Sequence, residues 1–239
     1  MHSDPGRAGA LRRLAARARE LLRHGDFASL VLLLVAAGGT WAFIEIADGL
    51  RDHELHEIDD RILRLFRNPA DYTDPIGPRW LEEAVRDVTA LGSVPVLTLL
   101  VVSAVLVLWL ERRRRAALWL AIAALGALVL NSAFKLLFAR ERPDLIAADS
   151  LPATYSFPSG HSFLSAAVYL TLGALLTHVL PRRRTRTFVL AMAVLLTLLT
   201  GASRVYLAVH YPSDVLAGWT LGIAWAALCW LVAWNLRKL

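Results

Sequence analysis

The chain has 239 residues, of which 56% are hydrophobic and 19% charged, and its mean hydropathy of +0.49 is typical of a membrane protein. A formal net charge of +6 and a pI near 10.1 would suit a nucleic-acid-binding protein, but the arginines lie beside apolar runs without interleaved aromatic residues. No nucleic-acid partner is therefore predicted. The single cysteine, Cys229, excludes an intrachain disulfide.

The N-terminal region, residues 1–26, is rich in arginine. Between residues 7 and 23, leucines and alanines recur at helical spacing while the arginines fall mostly on the other face, which predicts a basic amphipathic helix on the cytoplasmic membrane surface. The apolar run that follows, about 27–47, is longer than the apolar part of a secretory signal and lacks a convincing cleavage site of small residues. It is predicted to remain as the first transmembrane span.

Further apolar runs each approach the roughly 20 residues that cross a bilayer. They cover about 94–110, 116–137, 161–180, 187–207 and 214–234. The predicted fold is therefore all-α, a polytopic membrane protein with six transmembrane helices. Because such a bundle shares one packed interior, residues 1–239 are predicted to form a single membrane-embedded domain.

Basic clusters alternate with the other connections between these runs. They comprise Arg112 to Arg115, the arginine-rich stretch 182–186, and Arg237 with Lys238 at the C-terminus. The positive-inside rule places these clusters and the N-terminal region in the cytoplasm. The protein is thus predicted to lie in the inner (plasma) membrane, with connections 48–93, 138–160 and 208–213 facing the periplasm or exterior.

The first of these outer connections, residues 48–93, is long and mixed in charge. Apolar residues at helical spacing between Ile58 and Phe66, and between Trp80 and Val88, predict two short interfacial helices. Solvated helices at the membrane surface are the favoured interpretation. A lid over an active site is the alternative.

Candidate functional residues form three groups, all on the predicted outer side. In the first group, Lys135 and Arg142 are seven residues apart, about two helical turns, so both are predicted to project from one face of the third span before Pro143 ends the helix. Lys135 lies within an apolar run, where an ionisable group costs about 2.5 to 3.5 kcal/mol near the bilayer centre. Such a residue usually has an anionic partner.

The second group, Pro158, Ser159, Gly160 and His161, directly precedes the fourth apolar run. Free backbone N–H groups at a helix N-terminus bind anions, and Gly160 permits close approach of the backbone. His161 would then stand beside a bound phosphate.

The third group contains Ser203, Arg204, His210 and Asp214. A carboxylate four residues after an imidazole can accept its N–H, fix its tautomer, and stabilise a cationic or phosphorylated imidazole. His210 is therefore a candidate nucleophile. The sixth helix is predicted to begin at residue 212 or 213, after a turn.

These three groups, in this order and spacing, resemble the signature motifs of the type 2 phosphatidic acid phosphatase superfamily, and the resemblance extends over about residues 90–235. It implies a lipid phosphatase in which His210 attacks phosphorus with Asp214 behind it, while His161 protonates the leaving oxygen. The phosphate-binding residues that it implies are Lys135, Arg142, Ser159, Gly160 and Arg204.

No metal and no other cofactor is predicted, because three cations can neutralise the phosphate and no cluster of His, Asp or Glu has metal-ligand spacing. Each group also has a structural interpretation: Arg204 and Asp214 as an ion pair, His161 as an interfacial cap, and Lys135 as a snorkelling side chain. All three groups on one membrane face favour the catalytic interpretation. Other polar residues are assigned to interfacial or loop positions, namely His53, Arg140, Glu141 and His178.

The expected partners are a membrane lipid substrate and the bilayer, and the oligomeric state is left open. Phosphatidylglycerophosphate, undecaprenyl pyrophosphate, lipid A phosphate and phosphatidic acid all remain candidates, and an outward-facing site favours undecaprenyl pyrophosphate or broad lipid phosphate hydrolysis. One alternative is a lipid phosphotransferase with the same residues. Another is a non-catalytic anion-binding transporter, which is disfavoured because neither inverted repeats nor broken helices are evident.

Overall fold

The computed structural model describes residues 24–51, 55–145 and 154–235 of the chain. The predicted amphipathic helix at residues 7–23, His53 and the C-terminal basic pair lie outside this part. Within it, the protein consists of eight helices and one two-stranded sheet.

The helices follow the predicted apolar runs closely. In chain order they are α1 His24–Arg51, α2 His56–Leu65, α3 Arg79–Ala90, α4 Val94–Leu110, α5 Arg114–Phe138, α6 Gly160–Val179, α7 Arg183–Tyr206 and α8 Pro212–Asn235. Five of them, α1 and α5 to α8, are long and apolar enough to cross a membrane. Helix α4 has 17 residues and is bent by 44° from α3, and the two together make a sixth candidate span. The predicted all-α, multi-pass fold is confirmed.

Helix α6 is the most enclosed of these spans, and it packs against α7 and α8 as well as α4 and α5. Helix α8 approaches it closely because glycines face α6. A Cβ on Gly222 would lie 2.5 Å from Cβ of Ala166, and a Cβ on Gly218 would lie 2.7 Å from the carbonyl oxygen of Ser159. Small residues allow such close helix contacts in membranes. The first turns of α6 and α8, which carry the second and third motifs, are therefore neighbours.

Phenylalanine rings fix the segment before α6 against α1 and the end of α5. Phe157 is fully buried, and its ring centroid lies 5.8 Å from that of Phe43 and 4.8 Å from that of Phe138. Phe43 also lies 5.1 Å from Phe134. Aromatic pairs at such distances contribute about 0.5 to 1.5 kcal/mol beyond their burial. The cluster therefore anchors Phe157, and with it the second motif, to two spans.

The connection between α1 and α4 contains an element that was not predicted. Helices α2 and α3 occupy the positions of the predicted interfacial helices, but a hairpin lies between them, in which β1 Arg67–Asn68 pairs antiparallel with β2 Asp71–Pro75. The side chains of Asn68 and Asp71 each accept the backbone N–H group two residues further on. These Asx turns stabilise a tight reversal of the chain.

Helix α2 is also less solvated than predicted. Asp59 and Leu63 on its inner face are 2% and 0% exposed. Leu63 packs against Val205, near the end of α7, and against Val215, near the start of α8. The interpretation of α2 as a solvated surface helix is therefore wrong for its inner face, which is part of the protein interior. Helix α3, in contrast, has no buried residue.

Candidate active site

Helix α5 ends before it reaches Arg142. The helix stops at Phe138, and Ala139 adopts a left-handed conformation with φ of 45°. The prediction that Lys135 and Arg142 project from one helix face is therefore wrong. Proline disfavours the helical conformation of the residue before it, so Pro143 prevents the helix from continuing through Arg142.

Both cations nevertheless reach the same segment. The Nζ group of Lys135 donates to the carbonyl oxygen of Tyr155, and Nε of Arg142 donates to that of Thr154 at 2.8 Å. The Nη1 group of Arg142 also lies 3.2 Å from Nε2 of His210. The first motif thus meets the third through a loop rather than along a helix.

The contacts of His210 define its tautomer. An arginine side chain only donates hydrogen bonds, so Nε2 of His210 accepts from Arg142 and Nδ1 carries the proton. Nδ1 lies 3.4 Å from Oδ2 of Asp214, the contact predicted from the four-residue spacing. Burial lowers the pKa of His210 from 6.5 to about 3, although the hydrogen bond and charge of Asp214 raise it. The imidazole is therefore neutral near pH 7, and Nε2 holds the lone pair.

Asp214, in the first turn of α8, is fully buried, and both of its carboxylate oxygens have partners. Oδ1 accepts a hydrogen bond from Nη1 of Arg140 at 2.7 Å. Oδ2, which faces His210, also accepts from the backbone N–H of Tyr211 at 3.0 Å and from the hydroxyl of Ser156. The carboxylate is therefore fixed in position and rotation. Ser156, two residues before the second motif, was not singled out from the sequence.

Arg140, assigned from the sequence to an interfacial or loop position, is instead part of the buried site. Its side chain is 8% exposed and pairs with both Asp214 and Asp59. The alternative in which Arg204 pairs with Asp214 is wrong, since Arg140 takes that position. Local spacing gave no signal for this, because Asp59 lies 81 residues before Arg140.

The second motif forms the start of α6, which begins at Gly160. Ser159 is buried, its backbone N–H donates to the carbonyl oxygen of Asp214 at 3.0 Å, and its Oγ accepts from the hydroxyl of Ser162 at 3.0 Å. A Cβ on Gly160 would lie 3.2 Å from the side-chain amide of Asn131, so a larger residue would be crowded there. The backbone N–H groups in the first turn of α6 can bind an anion.

Arg204 of α7 brings a third cation to the site. The residue is 7% exposed, and its Nη1 donates to the hydroxyl of Thr89 in α3 at 3.1 Å. Its Nε has no partner among the residues that the structure describes. Burial, and to a smaller extent the charges of Arg142 and Arg204, lower the pKa of His210. The charges of Arg204, Arg142 and Lys135 also act on His161. The structure thus brings the predicted site residues together, and their individual roles stay predictions.

Two other residues assigned to interfacial or loop positions lie away from this cluster. His178 stacks on Trp230 near the opposite end of α6, with ring centroids 5.0 Å apart, and Glu141 is exposed. In the described ranges, no three His, Cys, Asp or Glu side chains are grouped so that they could hold a metal ion. The positive charge around His210 comes from arginine and lysine side chains.

Comparison with known proteins places this chain in a class of membrane lipid phosphatases. The chain is 30% identical over 185 residues to phosphatidylglycerophosphatase B of Bacillus subtilis, a match that covers 76% of this chain and 86% of that protein. It is 34% identical over 122 residues to undecaprenyl-diphosphatase of Sulfolobus acidocaldarius, which covers 49% of this chain and 55% of that one. Decaprenylphosphoryl-5-phosphoribose phosphatase of Mycobacterium tuberculosis is 37% identical over 125 residues, or 50% of this chain and 62% of that one.

The fold is similar to the crystal structure of a transmembrane PAP2-type phosphatidylglycerolphosphate phosphatase from Bacillus subtilis. The TM-score is 0.73 at 27% identity, and the match covers 85% of this chain and 97% of that chain. The model of the PAP2 superfamily matches residues 116–238, a range that contains all three motifs. The chain belongs to the PAP2 superfamily. It is a multi-pass membrane enzyme that hydrolyses lipid phosphates, as predicted.

Replacement of Gly218 by alanine is expected to disturb the site through packing alone. The new Cβ would lie 2.7 Å from the carbonyl oxygen of Ser159 and 2.8 Å from Cβ of Ser162, so the start of α6 and the second turn of α8 must separate. Overpacking of this kind costs about 1 to 3 kcal/mol. We expect Gly218→Ala to lower both the thermal unfolding temperature in detergent and phosphatase turnover.

Gly38→Ala is the matched control, because nothing lies within 4 Å of the Cβ position of Gly38 in α1. This variant should keep the stability and turnover of the unmodified protein. If Gly218→Ala behaves in the same way, the close contact between α6 and α8 is not required by the site.

Proposed function

We propose that the protein hydrolyses its lipid phosphate substrate through a phospho-histidine intermediate on His210. The observation that carries the proposal is the pair of contacts on this imidazole, with Asp214 at Nδ1 and Arg142 at Nε2. The carboxylate keeps the proton on Nδ1, and the guanidinium places a phosphate-binding cation beside the lone pair. A phosphate bound to Arg142 would therefore lie within reach of the nucleophilic nitrogen.

In the first step, phosphate displaces Arg142 from Nε2 of His210, because an anionic phosphate oxygen is a stronger acceptor than an imidazole nitrogen. The freed lone pair attacks phosphorus while the bond from phosphorus to the leaving oxygen breaks. His161 gives its proton to that oxygen. Asp214 stabilises the positive charge that develops on the phosphorylated imidazole.

In the second step, His161 takes a proton from water as the water oxygen attacks phosphorus. The bond from phosphorus to Nε2 of His210 breaks, and inorganic phosphate leaves. Two histidines are therefore needed, one as the nucleophile and the other as acid and then base.

The cations act in both steps by offsetting the negative charge of the phosphoryl group. Lys135 and Arg204 supply this charge with Arg142, and backbone N–H groups from Gly160 onward bind the phosphoryl oxygens. Because the backbone N–H of Ser159 is bonded to the carbonyl oxygen of Asp214, Ser159 would contact phosphate through its hydroxyl.

An apolar groove that begins about one helical turn from His161, at Leu164, supports a substrate with a long chain. Its volume is about 280 Å³, and it lies between α4, α5 and the first half of α6, with Leu164 and Val94 at the end nearest the site. A Cβ on Gly92, just before α4, would lie only 3.3 Å from Cδ2 of His161. From Val94 the groove follows α4 to Leu106, about 18 Å at the rise of an α-helix. We assign it to the acyl or prenyl chain.

Two lipids are the leading candidates within this class. The similarity to phosphatidylglycerophosphatase B extends over most of both chains and supports phosphatidylglycerophosphate. The shorter similarity to undecaprenyl-diphosphatase supports a prenyl pyrophosphate as the second candidate. Both lipids join a terminal phosphate to a long apolar chain, which the site and groove would bind together.

Phosphate release by the purified protein in detergent tests the substrate and the mechanism together. We expect inorganic phosphate from phosphatidylglycerophosphate, rather than transfer of the phosphoryl group to an added alcohol. Hydrolysis should persist in excess chelator because protein cations bind the phosphate, and vanadate should block it by mimicking the five-coordinate transition state. Strict dependence on an added divalent metal would contradict the mechanism, and release from none of the lipids tested would contradict the substrate class.

The two histidines should respond differently to replacement. His210→Ala should abolish turnover and leave no phospho-enzyme with any substrate, because His210 makes the bond to phosphorus. His161→Ala should fail on an alkyl lipid phosphate, since loss of a general acid typically costs about a hundredfold to ten-thousandfold. It should still allow some phosphorylation of His210 by an activated aryl phosphate, whose leaving group needs no proton.

Rapid acid-free quench and peptide mapping of the acid-labile phosphate measure these differences directly. Asp214→Asn serves as the intermediate case, because His210 keeps its place but loses its charge partner, so labelling should be slower and not absent. A label that survives in His210→Ala, or that maps to His161, would show that the assigned roles are wrong.

We propose that the protein lies in the inner (plasma) membrane with its site at the periplasmic or exterior face. The arginine-rich stretches 112–115 and 182–186 lie at the ends of α5 and α7 that are remote from the site. The positive-inside rule favours the cytoplasm for those ends.

Cysteine labelling tests this orientation in a Cys229→Ser background. Glu83→Cys in α3 and Arg184→Cys in α7 place single thiols at exposed positions near opposite ends of the bundle. An impermeant thiol reagent should label Glu83→Cys in intact cells and Arg184→Cys only after lysis. The reverse pattern would invert the orientation.

A further inference from the structure

Asp59 projects from α2 into the protein behind the candidate nucleophile. Its carboxylate is buried, and Oδ2 accepts a hydrogen bond from Nη2 of Arg140 at 2.8 Å. The same guanidinium donates through Nη1 to Oδ1 of Asp214 at 2.7 Å. Arg140 therefore bridges two carboxylates, one from α2 and one from the pair that includes His210.

Asp59 also holds the first turn of α8. Its Oδ1 accepts the backbone N–H of Ser213 at 2.9 Å, and its Oδ2 accepts the hydroxyl of the same residue at 2.5 Å. The backbone N–H groups in the first turn of a helix lack partners within the helix, and negative charge near them is favourable. Asp59 thus caps, from a distant part of the chain, the helical turn that carries Asp214.

Arg140 has little freedom within this arrangement. Its Nη1 donates to Oγ of Ser213 at 2.8 Å, and its Cζ lies 4.0 Å from the ring centroid of Tyr211. Its side chain is 8% exposed, so water screens its charge weakly. A displacement of Arg140 would therefore be transmitted directly to Oδ1 of Asp214.

The charges of this group determine the field at His210. If Arg140 were paired with Asp214 alone, the two side chains would be neutral overall and would leave little negative charge to stabilise a cationic imidazole. With Asp59 on the other side of the guanidinium, two negative charges face one positive charge. The surplus negative charge favours a cationic, phosphorylated imidazole over the neutral one.

We infer that Asp59 is a positioning residue for phosphoryl transfer, and that it acts through Arg140 on the place and charge of Asp214. The inference rests on the proposed role of His210 as the nucleophile. In the described part of the chain, the hydrogen bonds of Asp59 go to Arg140 and Ser213, not to the phosphate-binding cations. Asp59 should therefore affect turnover and leave substrate binding unchanged.

Asp59→Asn tests this because it keeps the shape of the side chain and removes its charge. With dioctanoyl phosphatidylglycerophosphate in detergent micelles, kcat should fall about ten- to a hundredfold, the range expected when a reacting group is slightly misplaced. KM should stay close to that of the unmodified protein. The matched control is Asp60→Asn, which makes the same change at the next residue of α2, where the side chain is exposed. This variant should keep the kcat and the KM of the unmodified protein.

Three outcomes would overturn the inference while the proposed function stands. They are an unchanged kcat in Asp59→Asn, a change in KM alone, and a loss of activity that only matches a loss of folded protein in thermal unfolding. Absence of hydrolysis by the unmodified protein would instead overturn the proposed function and the inference with it.

Loss of Asp59 leaves Arg140 with one carboxylate in a buried site, so the single variant could fail to fold. Asp59→Glu is the second variant, because it keeps the charge beside Arg140 and the cation beside Asp214 but displaces the carboxylate by one methylene group. We expect this variant to fold and to keep its KM, with kcat reduced less than in Asp59→Asn. A kcat equal to that of the unmodified protein would overturn the inference.

Discussion

The burial of the Asp214 carboxylate is the constraint on which the rest of the structure depends. A carboxylate removed from water is stable only when hydrogen bonds and opposite charge replace its hydration. Here the partners come from separate connections between the spans: Arg140 after α5, Ser156 before α6, and the backbone of Tyr211 before α8. One buried charge therefore draws these connections together, and the candidate nucleophile lies beside it.

The arginines of the site differ in what they bond. Arg140 faces two carboxylates, whereas Arg142 and Arg204 bond carbonyl, imidazole and hydroxyl groups. Within the described residues, neither Arg142 nor Arg204 forms an ion pair. A cation with neutral partners keeps its charge available for an anionic ligand, so the phosphate side of His210 is positive and the side behind it is negative. Phosphoryl transfer to an imidazole requires this polarity.

Hydropathy was sufficient to predict the spans. In a bilayer the backbone of an apolar run of this length must form its own hydrogen bonds, and an α-helix allows this within one segment. Local signals also predicted the starts of α6 and α8, where Pro158 and Pro212 restrict the backbone. Neither hydropathy nor local signals could predict which residues bind Asp214. Local spacing cannot show which of Arg140 and Arg142 turns towards a carboxylate, and Asp59 lies on a helix 81 residues earlier in the chain. Those contacts depend on tertiary packing between α2 and α8.

The same packing argues against α2 as a lid that opens during turnover. Lifting α2 would remove Asp59 from Arg140 and from the backbone N–H of Ser213, and would expose Leu63, which is fully buried. Breaking a buried ion pair costs about 3 to 5 kcal/mol, and exposing a leucine adds about 1.5 to 3 kcal/mol. The apolar groove between α4, α5 and α6 needs no such rearrangement. In the proposed function, a lipid entering sideways along this groove would keep its chain in the bilayer while its phosphate reached the cations.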